Sequence, residues 1–242
     1  MIETSVFMGG EPMSQSPHVN EAKELAAEID AEIQALPVQN TPSVRAVRRE
    51  YSRRLKQTSA ALILELAREL LRTYGYRGTP YELIRHHRAA FQSIGEAEVE
   101  ELGQGIDSWW SVDSFARTLA GPAWLNGQVS DELIHRWARS EDRWWRRAAL
   151  VSTVALNVRS RGGKGDVPRT LAVCRTLADD HDDMVVKALS WTLRELVVHD
   201  PDAVRQFLDE YEEVLAARVK REVNNKLTTG LKNPKREKGG FH

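Results

Sequence analysis

The sequence predicts an all-α protein assembled from stacked helix pairs, and three observations predict it. Apolar residues recur at three- and four-residue intervals through most of the 242 residues, the spacing that gathers one helix face against a core. No stretch alternates polar and apolar residues as a half-buried strand does. The punctuation between the periodic runs is of the helix-ending kind: Gly75 after "RTY", Gly121-Pro122, the glycines of "RGGKGDVP", and Asp200-Pro201.

The elements follow in chain order. "EAKELAAEIDAEIQAL" (21–36) sets Leu25, Ile29 and Ile33 on one face, and "SAALILELARELLRTYG" (59–75) does the same with Leu62, Leu66 and Leu70 before Gly75 stops it. "DELIHRWARS" (131–140) and "RWWRRAALVSTVALN" (143–157) continue the pattern. Gly162, Gly163 and Gly165 do not make a phosphate loop, because no strand precedes them and Lys164 is not followed by Ser or Thr where that loop needs one. They predict a flexible interhelix loop. "VPRTLAVCRTLA" (167–178), "MVVKALSWTLRELVV" (184–198) and "DAVRQFLDEYEEVLAARVKREV" (202–223) complete the helical runs, the last read as continuous. Residues 1–18 predict a disordered leader, 19–229 a single domain and 230–242 a basic, disordered tail, since both ends lack a periodic apolar face.

The chain overlays on itself. At an offset of 35, Asp107-Ser108-Trp109-Trp110 falls on Asp142-Arg143-Trp144-Trp145, and at an offset of 40, Arg147-Ala148 falls on Lys187-Ala188. Periods of about 35 to 45 residues made of paired helices belong to HEAT-like or armadillo-like α-solenoids, curved stacks whose inner helices line a concave surface. On that architecture most tryptophans are stacking residues of the core.

Composition excludes several classes. The single cysteine, Cys174, cannot close an intrachain disulfide and sits in an apolar helical pattern as a core residue. No apolar run reaches the roughly 18 residues that span a bilayer, and the first residues lack the basic start and apolar stretch of a secretory signal. Net charge is −1, yet the charges are segregated: residues 1–40 carry −6, residues 41–56 carry +5 through Arg45, Arg48, Arg49, Arg53, Arg54 and Lys56, and residues 218–238 carry +6. Such segregation fits a basic surface that follows a phosphate backbone; solvated helix faces account for it equally well.

Asp113 resists the core explanation. Trp109 and Asp113 are i and i+4 and share a helix face, and a carboxylate beside an indole is poor core material unless it is paired or points into a cleft. Arg147 in "RWWRRAAL" and Trp191 in "KALSWTLRE" join that site if their helices are inner ones. His86-His87 and His181, Asp182 and Asp183 offer metal-ligand residue types, but adjacent helical residues diverge by about 100° and no third ligand is spaced to help. No metal is expected.

The motifs "SWWSVDSF", "RWWRRAAL" and "KALSWTLREL" with the following "DPDAV", and more weakly "TPSVRAV", resemble those of the AlkD-like DNA alkylation repair glycosylases, over about residues 20–228. The resemblance implies an enzyme of HEAT-like repeats whose concave face binds double-stranded DNA and which excises N3- and N7-alkylated purines. It needs no cofactor, and the setting it implies is a monomer in the cytoplasm, at the nucleoid. It implies Asp113 as the catalytic carboxylate, Trp109 and Trp191 as aromatic walls, and Arg147 as a DNA-backbone contact, with Arg146, Arg45, Arg48, Arg49 and Lys187 as further DNA-binding candidates. The family carries one more residue between its tryptophan pair and the aspartate, so Trp109 by helical spacing or Trp110 by order in the pair takes the wall position. The family's first repeat also offers an aromatic near the lesion; "AAEIDAEIQALPVQNTP" has none, and Tyr51 is the substitute within reach.

The residue types suit that chemistry independently. An N3- or N7-alkylpurine is already a cationic leaving group, so no general acid is required. What remains is to stabilise an oxocarbenium-like sugar, which a carboxylate does, and to hold a cation against indole faces. Two other classes fit the same sequence: a non-catalytic module that recognises unusual DNA, and a scaffold that binds a partner chain on its concave face.

Overall fold

The structure, a computed structural model, describes residues 18–234; the predicted leader over 1–17 and the end of the predicted tail, 235–242, lie outside the described residues. Among the described residues there is no strand. The helices follow one another as pairs: α1 (Val19–Gln34) with α2 (Thr41–Arg54); α3 (Ala60–Arg72) with α4 (Thr79–His86), trailed by the short α5 (Arg88–Ser93); α6 (Glu96–Gly103) with α7 (Trp109–Phe115). α7 runs on through a π-helical turn, Ala116–Ala120, into α8 (Gly121–Leu125). Then come α9 (Asp131–Ala138) with α10 (Arg143–Ser152), extended by α11 (Val154–Asn157); α12 (Val167–Thr176) with α13 (Asp183–Leu196); and α14 (Pro201–Glu210) with α15 (Ala217–Thr229).

Stacking makes two layers. In one, α1 packs on α3 and α9 on α12; in the other, α2 packs on α4, α4 on the π turn, α7 on α10, α10 on α13 and α13 on α15. α6 joins the first layer by polar clasps: Arg68 bonds Glu101 at 2.9 to 3.1 Å, and Glu100 takes Arg136 at 2.9 Å and the Trp137 indole at 3.1 Å. This is the α-solenoid that the repeat predicts.

Most starts are written locally. Asn40, Ser59, Ser108, Ser130, Asp142, Asp166, Asp182 and Asp200 each accept a backbone N–H of the helix they precede, satisfying donors that have no intrahelical partner. Each cap contributes about 1 kcal/mol. The central helices α10 and α13 pack together and are buried along most of their length, with Ala148, Ala149, Ala188 and Ser190 among their buried residues and the Thr192 hydroxyl donating to Leu150 O at 2.9 Å. Small residues there let the backbones approach closely.

The structure departs from the expectation in three places. The run 202–223 is two helices, because Val204, Phe207 and Leu208 on one side and Val219 and Val223 on the other both bury against α13, which a single straight rod cannot arrange. α2, α4, α5, α6 and α8 add helices that periodicity does not reveal: all but α2 have eight residues or fewer, too few turns to set a period, and α2 buries only Val47, Arg48 and Tyr51. The glycine loop is pinned. Gly163 N–H donates to Val158 O at 3.2 Å, Gly165 N–H to Leu156 O at 3.1 Å, and Asn157 Oδ1 accepts from the Asp166 N–H at 3.2 Å. A short 3₁₀ turn, Arg159–Arg161, leads into it.

Candidate functional site

The site grows from one helix. Ser108 caps α7 so that the helix begins on Trp109, and the sequence then places Trp109, Asp113 and Arg117 at i, i+4 and i+8, flanked by Trp110, Ser114 and Thr118. All six border a cleft of about 530 Å³ closed on its other sides by α2, the α3–α4 turn and α4. Pro122 lacks an N–H and crowds the carbonyl four residues back, and the widened π turn that contains Arg117 and Thr118 lies directly before it.

Asp113 is held from behind. Its Oδ1 accepts Arg147 Nε at 2.9 Å and its Oδ2 accepts Nη2 at 3.0 Å, while Arg147 Nη1 donates to Met184 O at 2.5 Å. One guanidinium therefore ties α7, α10 and α13 together. Burial pushes the Asp113 carboxyl above the ordinary carboxylate range, and the positive charges of Arg147 and Arg117 pull against that shift. The result is an oriented carboxylate at the border of a cleft, beside two indoles, Trp109 and Trp110, that are 56% and 50% exposed.

The second tryptophan pair does different work. Trp145 joins Phe115 and Trp137 in an aromatic cluster with ring centroids 4.9 to 5.9 Å apart, and Trp144 lies under the Arg143 guanidinium. Core stacking explains this pair; it does not explain the exposed first one. Trp110 borders the same cleft as Trp109, so both alternatives for the wall position lie on it. Trp191 stands apart: its indole N–H donates to Glu195 Oε1 at 2.8 Å and its face is covered by the Arg117 guanidinium at 5.6 Å. Arg117 thus separates Trp191 from the cleft that holds Asp113.

Several expected DNA contacts are committed elsewhere. Arg147 is only 5% exposed and its donors go to Asp113 and Met184, so the guanidinium expected on a phosphate instead orients the carboxylate. Arg48 is buried and bonds Glu82 at 2.9 Å; Arg45 shares that carboxylate at 2.8 Å but borders the cleft. Arg146 bonds Asp180 at 2.7 Å and the carbonyls of Ser140 and Glu141, closing the turn before α10. Lys187 pairs with Asp183 one turn away at 2.6 Å, and Arg49 is exposed on α2 outside the cleft. Tyr51 is fully buried, bonding Glu32 at 2.8 Å between α1 and α2, and cannot be a wall.

The structure supplies residues that the sequence reading passed over. Tyr76, from the turn between α3 and α4, borders the cleft, with its hydroxyl donating to Asp30 at 2.7 Å. Arg117 and Arg161 border it too, and Arg161 reaches across from the pinned loop to donate to Arg117 O at 2.9 Å. The arginines of "RSRGG" are the signal that the sequence carries for Arg161.

The remaining candidates are structural. His87 Nδ1 accepts the Ala90 N–H at 3.1 Å and starts α5; Asp182 caps α13; Asp183 holds Lys187. Cys174 is buried, which pushes its thiol above the ordinary range. No helix among the described residues is long and apolar enough to cross a membrane. A family model described as DNA alkylation repair enzyme matches residues 17–227. No curated protein matches the chain.

Proposed function

The chain belongs to the DNA alkylation repair enzyme family, and we propose that within it this protein is a DNA glycosylase acting on cationic N3- and N7-alkylpurines in duplex DNA. One observation carries the reading: a carboxylate clasped at 2.9 and 3.0 Å by a buried arginine still borders an open cleft, on the same helix as two half-exposed indoles that border it too. Asp113 faces the sugar of the damaged nucleotide and stabilises the oxocarbenium character that develops as the glycosidic bond breaks. Trp109 and Trp110 take the cationic base or its sugar against their faces, each contributing about 0.5 to 2 kcal/mol according to desolvation. Arg147 acts through Asp113, as a positioning residue. The positive charge of the base removes the need for an acid on the leaving group, and no residue of the cleft is assigned that role.

The test is release of N3-methyladenine or N7-methylguanine from methylated duplex DNA by the intact chain, followed with Asp113→Asn. A second reading has its own observation, since a doubly bonded Asp113–Arg147 pair is also what a purely structural clasp between helices looks like. Under that reading the protein binds DNA without releasing a base, and Asp113→Asn alters melting alone.

A further inference from the structure

Both carboxylates of the cleft are already taken, Glu82 by Arg45 and Arg48, and Asp113 by Arg147. Arg117 and Arg161 are left with positive charge and no ion pair among the described residues. Arg161 spends one N–H on the Arg117 carbonyl, and Arg117 Nε is buried without any hydrogen-bond partner. A buried cationic N–H with nothing to bond costs free energy unless a ligand supplies the acceptor. Burial, and after it the charges of Arg117, Arg85 and Arg45, push the Arg161 side chain below the ordinary arginine range, with the Glu82 carboxylate pulling against that shift.

We propose that Arg117 and Arg161 form an anion subsite at the cleft wall that holds the backbone phosphate flanking the damaged nucleotide. The proposal rests on the glycosylase reading for the identity of that nucleotide. Position supports it: Arg117 lies one turn beyond Asp113 on the same helix, about 6 Å along the axis, so a phosphate held there belongs to the nucleotide whose sugar faces Asp113. Guanidinium groups suit it, since each presents paired N–H donors matched to two phosphate oxygens. The two arginines come from separate elements, the π turn and the 3₁₀ turn, and the bond from Arg161 Nη1 to the main-chain carbonyl of Arg117 anchors Arg161 beside that turn before DNA arrives. The backbone contact expected of Arg147 passes to this pair. Because Arg117 also covers Trp191, binding a phosphate draws the guanidinium away from that ring and leaves its face available.

The experiment uses short duplexes carrying a tetrahydrofuran abasic analogue, with each phosphate near it replaced in turn by an uncharged methylphosphonate, titrated with the wild type, Arg161→Gln and Arg161→Lys. One replacement next to the analogue should weaken wild-type binding several-fold and leave Arg161→Gln no weaker than it already is. Arg161→Gln should lower the slope of log K against log salt by about one, and Arg161→Lys should retain it. If Arg161→Gln keeps the wild-type slope in a folded protein, or loses affinity equally at every replaced phosphate, the subsite is wrong. The two readings fail separately. Wild type that shows the coupling but releases no methylated base keeps the subsite and sinks the glycosylase; base release with an unaltered slope in Arg161→Gln does the reverse.

Discussion

Asp113 and Arg147 have to be treated as one unit. Replacing Asp113 with Asn removes the charge that faces the sugar and also leaves a buried guanidinium opposite a neutral amide, so two effects are expected together. Excision should fall by about 100-fold or more, the loss typical when one electrostatic contributor is removed from a transition state. Stability should fall by up to about 3 kcal/mol, toward the lower end for breaking a buried pair, because Arg147 keeps its bond to Met184 O. Single-turnover release measured beside a thermal melt separates them, and unchanged release would sink the mechanism. Arg147→Lys gives the complementary result. A residue gripping phosphate would change DNA affinity when replaced; a residue orienting Asp113 should leave affinity alone and lower the rate at saturating DNA. The pH profile adds a sign: burial raises the Asp113 carboxyl, the reactive form is the ionised one, and the rate therefore falls as pH drops through that raised value. Losing the bidentate partner should move this acid limb to higher pH. For the indoles, half-exposed Trp109 and Trp110 should each cost only about 1 kcal/mol of stability on conversion to alanine, against about 3 to 5 kcal/mol for a core ring such as Trp137. A large drop in excision with a small drop in melting temperature, for either one, marks it as a wall.

The helix that carries the site depends on a close approach of backbones. A Cβ added at Gly121 would lie 2.5 Å from Ser152 O and 3.0 Å from Ala116 O, both main-chain atoms that cannot swing aside. Gly121→Ala should therefore cost about 1 to 3 kcal/mol despite the better helix propensity of alanine, and should disturb α8 against α10. A melting temperature equal to the wild type would show that the approach is slack. Legibility in the sequence follows the same physics. Trp109 and Asp113 were found because i,i+4 spacing is a local property, and the cleft face they start continues to Arg117 by the same rule. The Asp113–Arg147 clasp is 34 residues long in sequence, and so are Arg48–Glu82 and Arg146–Asp180, with Arg68–Glu101 at 33 and Arg136–Glu100 at 36. These lengths match the repeat: one period along the chain is one step across the stack, so opposite charges one period apart meet. The offset of 35 that superposes the tryptophan pairs carries the same signal for charges. The place of Arg161 was not legible, because it depends on how a glycine loop packs, and glycine's freedom leaves that choice to tertiary contacts.

At the scale of the whole molecule, a solenoid is held by neighbour contacts alone, so its ends, each with one neighbour, should open first. α1–α2 and α14–α15 are those ends, while α7, α10 and α13 are joined through the single buried guanidinium of Arg147. Amide hydrogen exchange should show protection falling from the centre outward, with α7, α10 and α13 exchanging at a common rate. On that expectation Asp113 and Arg147 sit on the slowly opening centre, which suits a carboxylate that must be aimed before DNA arrives, while the cleft wall formed by α2 belongs to an end that opens first. Arg147→Met, similar in bulk but without charge or N–H donors, tests the link directly. It leaves Asp113 unpaired and frees Met184 O, so α7 should exchange faster than α13 in that variant and the common rate should split, while α1–α2 and α14–α15 keep their wild-type values. If the three central helices still exchange together, packing alone couples them, and the clasp serves only to aim Asp113.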